Sequence, residues 1–95
     1  MRLSERYITV IKKYFKSIFT DGEIYLFGSR VDDSKKGGDI DLYLVVQNHI
    51  NLFDKKIKFL ARIHRELGEQ KIDIVFNKDK TRLVEMEALK WGVKL

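Results

Sequence analysis

Three short apolar segments, each bordered or interrupted by polar residues, constrain the fold of this sequence most. The first runs from Glu23 to Phe27 and is followed at once by Gly28-Ser29-Arg30. The second begins with Asp39-Ile40-Asp41, and the third, from Lys71 to Phe76, carries Asp73 near its start. Short runs rich in β-branched and aromatic residues are typical of strands. We therefore predict three strands whose polar residues can meet on one sheet.

The segments around these strands have helical periodicity. Ser4 is the predicted N-cap of a first amphipathic helix, which stops at Asp21-Gly22. Asn51 and Asp54 resemble a capping box at the start of a second helix, which ends before Gly68. Two long helices are thus expected, one before the first strand and one between the second and third.

A third helix is predicted from Thr81 to Trp91. The order α-β-β-α-β-α predicts an α+β fold in which helices cover a small mixed β-sheet, with a right-handed crossover between the second and third strands. The polar segment from Asp32 to Gly38 should be a flexible loop, after one helical turn begun by Ser29. The apolar residues of the third helix that are available for packing are Leu83, Val84, Met86, Ala88 and Leu89.

Length and composition narrow the class of protein. A chain of 95 residues is expected to form one domain over residues 1–95, without a second substrate-binding lobe. Its 19 Lys and Arg against 14 Asp and Glu give a net charge of +5, which favours nucleoside triphosphates or nucleic acid as ligands. Cysteine is absent, which excludes disulfides and Cys-based zinc sites. No apolar run has the length of a signal peptide or membrane span, so a cytoplasmic protein is expected.

Gly28 and Ser29 are candidate phosphate-binding residues. A glycine after a strand lets the backbone approach a ligand closely, and Ser29 offers a hydroxyl and an amide N–H. The segment is not a Walker P-loop, because the Gly-Lys-Ser/Thr ending is missing. A simple turn is the alternative interpretation.

Three aspartates are candidate metal ligands. Asp39 and Asp41 are two residues apart, so on a strand their carboxylates face the same side, and Asp73 interrupts the next apolar strand. If they converge, each close pair repels by about 4 kcal/mol at an effective dielectric constant of about 20, so a cation is needed. Oxygen ligands favour Mg²⁺ or Mn²⁺ bound together with nucleotide phosphates, as in two-metal phosphoryl chemistry. A solubilising strand edge would also explain these residues.

Taken together, these motifs resemble the nucleotidyltransferase superfamily of the DNA polymerase β type. Its signature is a hydrophobic-Gly-Ser segment, a loop, Asp-x-Asp and a third carboxylate on a later strand, which Gly28-Ser29-Arg30, Asp39-Ile40-Asp41 and Asp73 match in order. The size is similar to that of minimal nucleotidyltransferases, the MNT proteins, which are usually encoded beside a helical HEPN protein. Gly38 departs from the pattern, since relatives more often carry Ser before the first aspartate.

The resemblance implies an activity, cofactors and a partner. MNT proteins are similar to antitoxins that transfer AMP from ATP to a tyrosine of a HEPN ribonuclease. It therefore implies ATP as substrate, Mg²⁺ or Mn²⁺ as cofactor, and a hetero-oligomer with a HEPN-type protein. Carried over by position, Gly28, Ser29 and Arg30 contact the triphosphate. The residues that bind metal and carry catalysis are Asp39, Asp41 and Asp73.

Two other functions stay open from the sequence: a non-catalytic antitoxin that neutralises its partner by covering it, and nucleotide transfer to RNA such as a tRNA end. Basic residues on the first two helices fit either RNA binding or a solvated surface. His49 and His64 lack a partner at metal-ligand spacing and are interpreted as structural. Met86 and Trp91 are expected to pack in the core or on a partner. The basic residues are Lys12, Lys13, Lys16, Lys55, Lys56, Lys58, Arg62 and Arg65.

Overall fold

Three helices and a four-stranded mixed sheet form the fold, in a computed structural model that describes residues 3–31 and 38–95. A single 3₁₀ turn, Gly28–Arg30, follows the first strand, and apart from Gly38 the predicted loop before Asp39 lies outside the described residues. The elements in chain order are α1 (Glu5–Phe19), β1 (Glu23–Phe27), β2 (Ile40–Val45), α2 (Leu52–Leu67), β3 (Ile72–Phe76), α3 (Leu83–Trp91) and β4 (Val93–Lys94).

The sheet has the strand order β3-β2-β1-β4. β1 pairs antiparallel with β2 and with β4, whereas β2 and β3 are parallel because α2 carries the chain back between them. The predicted α+β class, mixed sheet and α-β-β-α-β-α order are confirmed. The two-residue strand β4 was not predicted, and the right-handed crossover stays a prediction.

The starts of the two long helices differ from each other. Ser4 caps α1 as predicted, since its hydroxyl accepts the Tyr7 N–H at 3.2 Å. Asn51 was wrongly predicted to cap α2 through its side chain: its backbone is left-handed, with φ 57°, and its side chain makes no cap hydrogen bond. Side-chain capping needs an extended backbone at this position. The α2 start instead uses the Asn51 carbonyl, which accepts the Lys55 N–H at 3.0 Å.

Both faces of the sheet are covered. On one face α1 and α2 bury the main core around Ile11, Phe59 and Leu42. On the other face α3 packs on a smaller cluster centred on Phe27 and Tyr43. The central strand β2 is therefore buried on both sides, as its apolar run predicted. No helix of the described ranges is long and apolar enough to span a bilayer.

The face that α3 turns to the sheet differs from the predicted one. Leu83 and Met86 are exposed, by 83% and 51%, and so is Leu89, which makes the packing prediction for these three wrong. Ala88 is buried and Val84 packs against the same cluster. The reason is close approach: Ala88 is fully buried against the sheet, and a Cβ on Gly92, just after α3, would lie only 3.3 Å from the Leu26 carbonyl of β1. Larger side chains are therefore left on the outer side of the helix.

Candidate active site

The register of the sheet brings the predicted motifs together in one row. Asp41 on β2 lies opposite Phe27 on β1 and opposite Asp73 on β3. Gly28 directly follows Phe27, and neighbouring strands are about 4.8 Å apart. The Gly-Ser turn and two of the three aspartates therefore meet at one end of the sheet, on the face that α3 covers further along.

The carboxylates at this end repel one another. Asp41 and Asp73 are close enough to share a hydrogen bond. Burial raises the pKa of Asp41, and the negative charges of Asp73, Asp39 and Glu87 raise that pKa further. These carboxylates thus carry more negative charge than the surrounding protein compensates, which favours binding of a cation between them.

Lys71 is a neighbour of the aspartates that the sequence reasoning did not single out. Its ammonium lies 3.2 Å from a carboxylate oxygen of Asp39, just before β2 begins. The hydrogen bond to Asp39 is the main cause of its raised pKa, and the charges of Asp73 and Asp41 add to it. Lys71 is thus a counter-charge for the cluster, carried on an exposed side chain.

Glycine is required where the turn approaches the carboxylates. Gly28 has φ 78°, and a Cβ there would overlap the carboxylate of Asp41. A Cβ on Gly38 would likewise overlap the hydroxyl of Ser29, which places Ser29 against the segment that leads into Asp39. The absence of these two side chains lets Ser29 and Asp41 lie within one small region.

We expect Gly28→Ala to reduce activity much more than its effect on folding would explain. The added methyl group must displace the Asp41 carboxylate, and the positive φ adds a strain of about 1 kcal/mol. Gly68→Ala is the matched control, because Gly68 has φ 86° and nothing within 4 Å of an added Cβ. Melting curves and activity measurements on both variants check this. Equal activity of the two variants would contradict the close approach of Gly28 to Asp41.

Arg30, the last residue of the turn, lies on the side that faces the start of α1. It lines a cavity of about 190 Å³ together with Ser4, Tyr7 and Gln70. This cavity lies on the α1 side of the turn, and Gln70, which lines it, directly precedes Lys71. Contact between Arg30 and a triphosphate stays a prediction.

Two acidic residues of α3 were missed by the sequence reasoning. Glu85 is fully buried, and its carboxylate accepts hydrogen bonds from the Tyr43 hydroxyl at 2.7 Å and from the backbone N–H of Asp79 at 2.8 Å. Glu87, two residues later, is exposed and acts electrostatically on Asp41. The available signal was weak: Ala88 and Gly92 mark a close-packing helix face, and Glu85 precedes Ala88 on that face.

The two histidines have the structural roles expected of them. The Nε2 atom of His64 lies 2.8 Å from the Gln70 carbonyl, and that of His49 lies 3.0 Å from the Val46 carbonyl. The His64 ring thus connects the last turn of α2 to the loop that follows it. The His49 ring holds the loop between β2 and α2 against Val46. Met86 and Trp91 are exposed, so the core-packing alternative for them is wrong.

Asp39, Asp41 and Asp73 together are called the aspartate row. Their donor chemistry fits a hard divalent cation. All side-chain donors are carboxylate oxygens, and Asp73 is exposed at the start of an edge strand, where a ligand can reach it. In the described ranges no three His, Cys, Asp or Glu side chains are already arranged as a metal-binding group. Asp39 is held by Lys71, so it would have to exchange that ion pair for a cation.

A strand-turn motif facing two register-paired aspartates on a mixed sheet defines the class of nucleotidyl-transferring domains. The sequence matches the family model described as polymerase beta nucleotidyltransferase over residues 9–95. The chain belongs to the polymerase beta nucleotidyltransferase family. The comparison with curated proteins found no significant match.

Two solved structures have the same fold. One is a rebuilt and re-refined structure of tri-AMPylated Shewanella oneidensis HEPN toxin in complex with MNT antitoxin, with a TM-score of 0.72 and 16% identity over 97% of this chain and 71% of that chain. The other is a crystal structure of a mutant of the toxin–antitoxin MntA–HpeT, with a TM-score of 0.73 and 16% identity over 97% and 72% of the two chains. At this identity the likeness concerns the fold.

Proposed function

We propose that this protein transfers AMP from ATP to a tyrosine hydroxyl of a HEPN-type partner, in a metal-dependent reaction, and so acts as the antitoxin of a toxin–antitoxin pair. The observation that carries the proposal is the register pairing of Asp41 with Asp73 beside the Gly28-Ser29 turn. The fold shared with a complex of MNT antitoxin and AMP-modified HEPN toxin supports the choice of acceptor.

The reaction assigns a role to each group of residues. The acceptor oxygen bonds to the α-phosphorus of ATP while the bond from that phosphorus to the bridging oxygen breaks, and pyrophosphate leaves with the electron pair. Gly28 and Ser29 bind the phosphates through close backbone approach and the hydroxyl. Asp39 and Asp41 hold the cation, which when bound neutralises the charge that develops on the phosphate oxygens. Asp73 holds a second ion or accepts the proton of the acceptor hydroxyl.

The test is a label-transfer assay with the purified chain, Mg²⁺ and a purified HEPN-type protein. ATP labelled at the α-phosphate should label the partner, whereas ATP labelled at the γ-phosphate should not, since AMP and not phosphate is transferred. Mass spectrometry should locate the added AMP on a tyrosine, and chelation of the metal should stop the reaction. Offering tRNA beside the partner protein tests the RNA alternative. No labelling of the partner, or preferential labelling of tRNA, would contradict the proposal.

A second candidate function is inhibition by covering the partner without chemistry. The exposure of Phe53 and Trp91, 69% and 65%, is the observation that favours it, because such side chains are typical of protein contacts. Growth of cells that express the toxin separates the two functions. Rescue by Asp41→Asn at wild-type strength would favour covering over AMP transfer, since this substitution removes a ligand oxygen and leaves the size of the side chain unchanged.

A further inference from the structure

A groove runs along the open edge of the sheet, beside the aspartate row. β3 is the last strand of the sheet in the described residues, and the groove has a volume of about 290 Å³. Ile74 and Val75, whose side chains point to opposite faces of the sheet, both line it, so it wraps around the strand edge. The other residues that form its walls are Leu52, Phe53, Lys56, Phe76, Lys78 and Arg82.

The floor and outer lip of the groove are apolar. Phe53 lines the groove with 69% of its surface exposed, and Ile57, one helical turn further along α2, is 51% exposed. Phe is costly to leave in water, at about 25 cal/mol per Å² of apolar surface. Neighbouring exposed apolar side chains on a small protein mark an interaction surface.

The rim of the groove is basic and is held in place from inside. Lys56, Lys78 and Arg82 supply three positive charges. The buried carboxylate of Glu85 accepts the backbone N–H of Lys78 at 3.1 Å and lies 3.4 Å from Nε of Arg82. The backbone of the turn between β3 and α3 is therefore held by a buried carboxylate, which preorganises this part of the rim.

We propose that this groove is the docking site of the acceptor protein, and that its occupant is an acidic segment with one apolar side. This inference rests on the proposed function for the identity of the acceptor. Charge complementarity selects the occupant: an apolar floor beside the ammonium groups of Lys56 and Lys78 binds apolar side chains flanked by carboxylates, while Arg82 is paired with Glu85. A second copy of this chain would bring a net charge of +5 against the same cations. RNA would leave the aliphatic floor of Leu52, Ile74 and Val75 unused, since bases stack on flat aromatic groups.

The groove lies at the right distance to serve the aspartate row. Val75 and Asp73 lie on the same face of β3, two residues and about 7 Å apart. A segment docked over Val75 therefore leaves only a few residues of chain to bring a hydroxyl to Asp73. Docking would convert an encounter between two proteins into a reaction within one complex.

The test measures binding and transfer separately, with the same purified HEPN-type protein as the probe. Phe53→Ser should weaken binding by about tenfold or more, mainly through faster dissociation. Lys56→Glu with Lys78→Glu should slow association and reduce its salt dependence. The controls are Leu89→Ser, an exposed apolar residue of α3 outside the groove, and Lys12→Glu with Lys16→Glu on α1, which make comparable chemical changes elsewhere.

The outcomes separate the docking site from the proposed reaction. Groove variants that lose binding while the controls keep it support the docking site, even if no AMP is transferred. Transfer with undiminished binding by the groove variants would overturn the docking site and leave the reaction standing. Three results would each overturn the assignment of the occupant. The first is no binding of the HEPN-type protein, and the second is self-association that Phe53→Ser abolishes. The third is tRNA binding that is lost in the Lys56→Glu and Lys78→Glu variant.

Discussion

Asp41→Asn is expected to lower the proposed AMP transfer about a thousandfold or more while leaving the fold intact. The amide keeps the shape of the side chain but removes the charge of the carboxylate that sits between Phe27 and Asp73 in the sheet register. Loss of one preorganised electrostatic contact to developing charge costs about a hundredfold to a thousandfold, and a metal ligand should cost at least as much. Single-turnover labelling of the partner measures the loss.

The same substitution has an expected effect of opposite sign on stability. Burial and the charges of Asp73 and Asp39 raise the pKa of Asp41, so its ionised form is disfavoured in the metal-free fold. Removing that charge should therefore raise, or at least not lower, the melting temperature without metal, and should reduce the stabilisation that Mg²⁺ gives. Such a pattern excludes misfolding as the cause of lost activity.

Asp21→Asn is the matched control for Asp41→Asn. Asp21 is exposed and precedes β1, so it lies at the opposite end of that strand from Gly28. It should keep wild-type activity and the wild-type response to Mg²⁺. Substantial transfer by Asp41→Asn would remove the catalytic role assigned to the aspartate row.

Much of this site could be predicted from the sequence because its key residues are set by local periodicity. The spacing of two between Asp39 and Asp41 fixes a common face, and a parallel crossover then fixes which strand lies beside them. The register between Asp41 and Asp73 could not be derived, because it depends on how α2 packs and on the length of the turns around it. The two residues come into line only in the folded sheet.

Residues that act on the site from distant elements were beyond the sequence patterns. Lys71 is read locally as the residue before a strand, and its pairing with Asp39 follows only from the position of β3 next to β2. The side of α3 that faces the sheet was also mispredicted, since Leu83 and Met86 carry the strongest apolar signal and yet are exposed. Close approach through Ala88 decides that orientation, and close approach is a tertiary property.

Glu85→Ala, which truncates the buried carboxylate of α3, should lower the free energy of unfolding by about 3 kcal/mol. Three hydrogen-bond donors lose their acceptor, namely the Tyr43 hydroxyl and the backbone N–H groups of Lys78 and Asp79. Tyr43 has no exposed surface, so its hydroxyl cannot turn to water for compensation. Chemical denaturation measures the change, with Glu87→Ala as a control on the exposed side of the same helix.

The pH dependence of this loss tests the charge of Glu85 separately from its size. Burial raises the pKa of Glu85, but hydrogen bonds from Asp79, Tyr43 and Lys78 outweigh burial and leave it below the usual value of 4.5. A carboxylate with a lowered pKa contributes stability above the unfolded-state value, and that contribution is lost as the pH falls through the folded-state value. The stability difference between wild type and Glu85→Gln should therefore shrink from about pH 6 to about pH 3. A difference that stays constant over this range would mean that Glu85 acts through its shape alone.

The Tyr43 hydroxyl connects Glu85 on α3 to β2, the strand that carries Asp41. Burial and the bond to Glu85 raise the pKa of Tyr43, so the hydroxyl remains a proton donor at all working pH values. In a double-mutant cycle Tyr43→Phe and Glu85→Ala should be strongly non-additive, since either change breaks the same bond. Coupling in stability together with slower transfer by Tyr43→Phe would mean that the buried pair positions Asp41 and Asp73. Coupling without any change in transfer would mean that the pair stabilises the fold without positioning the site.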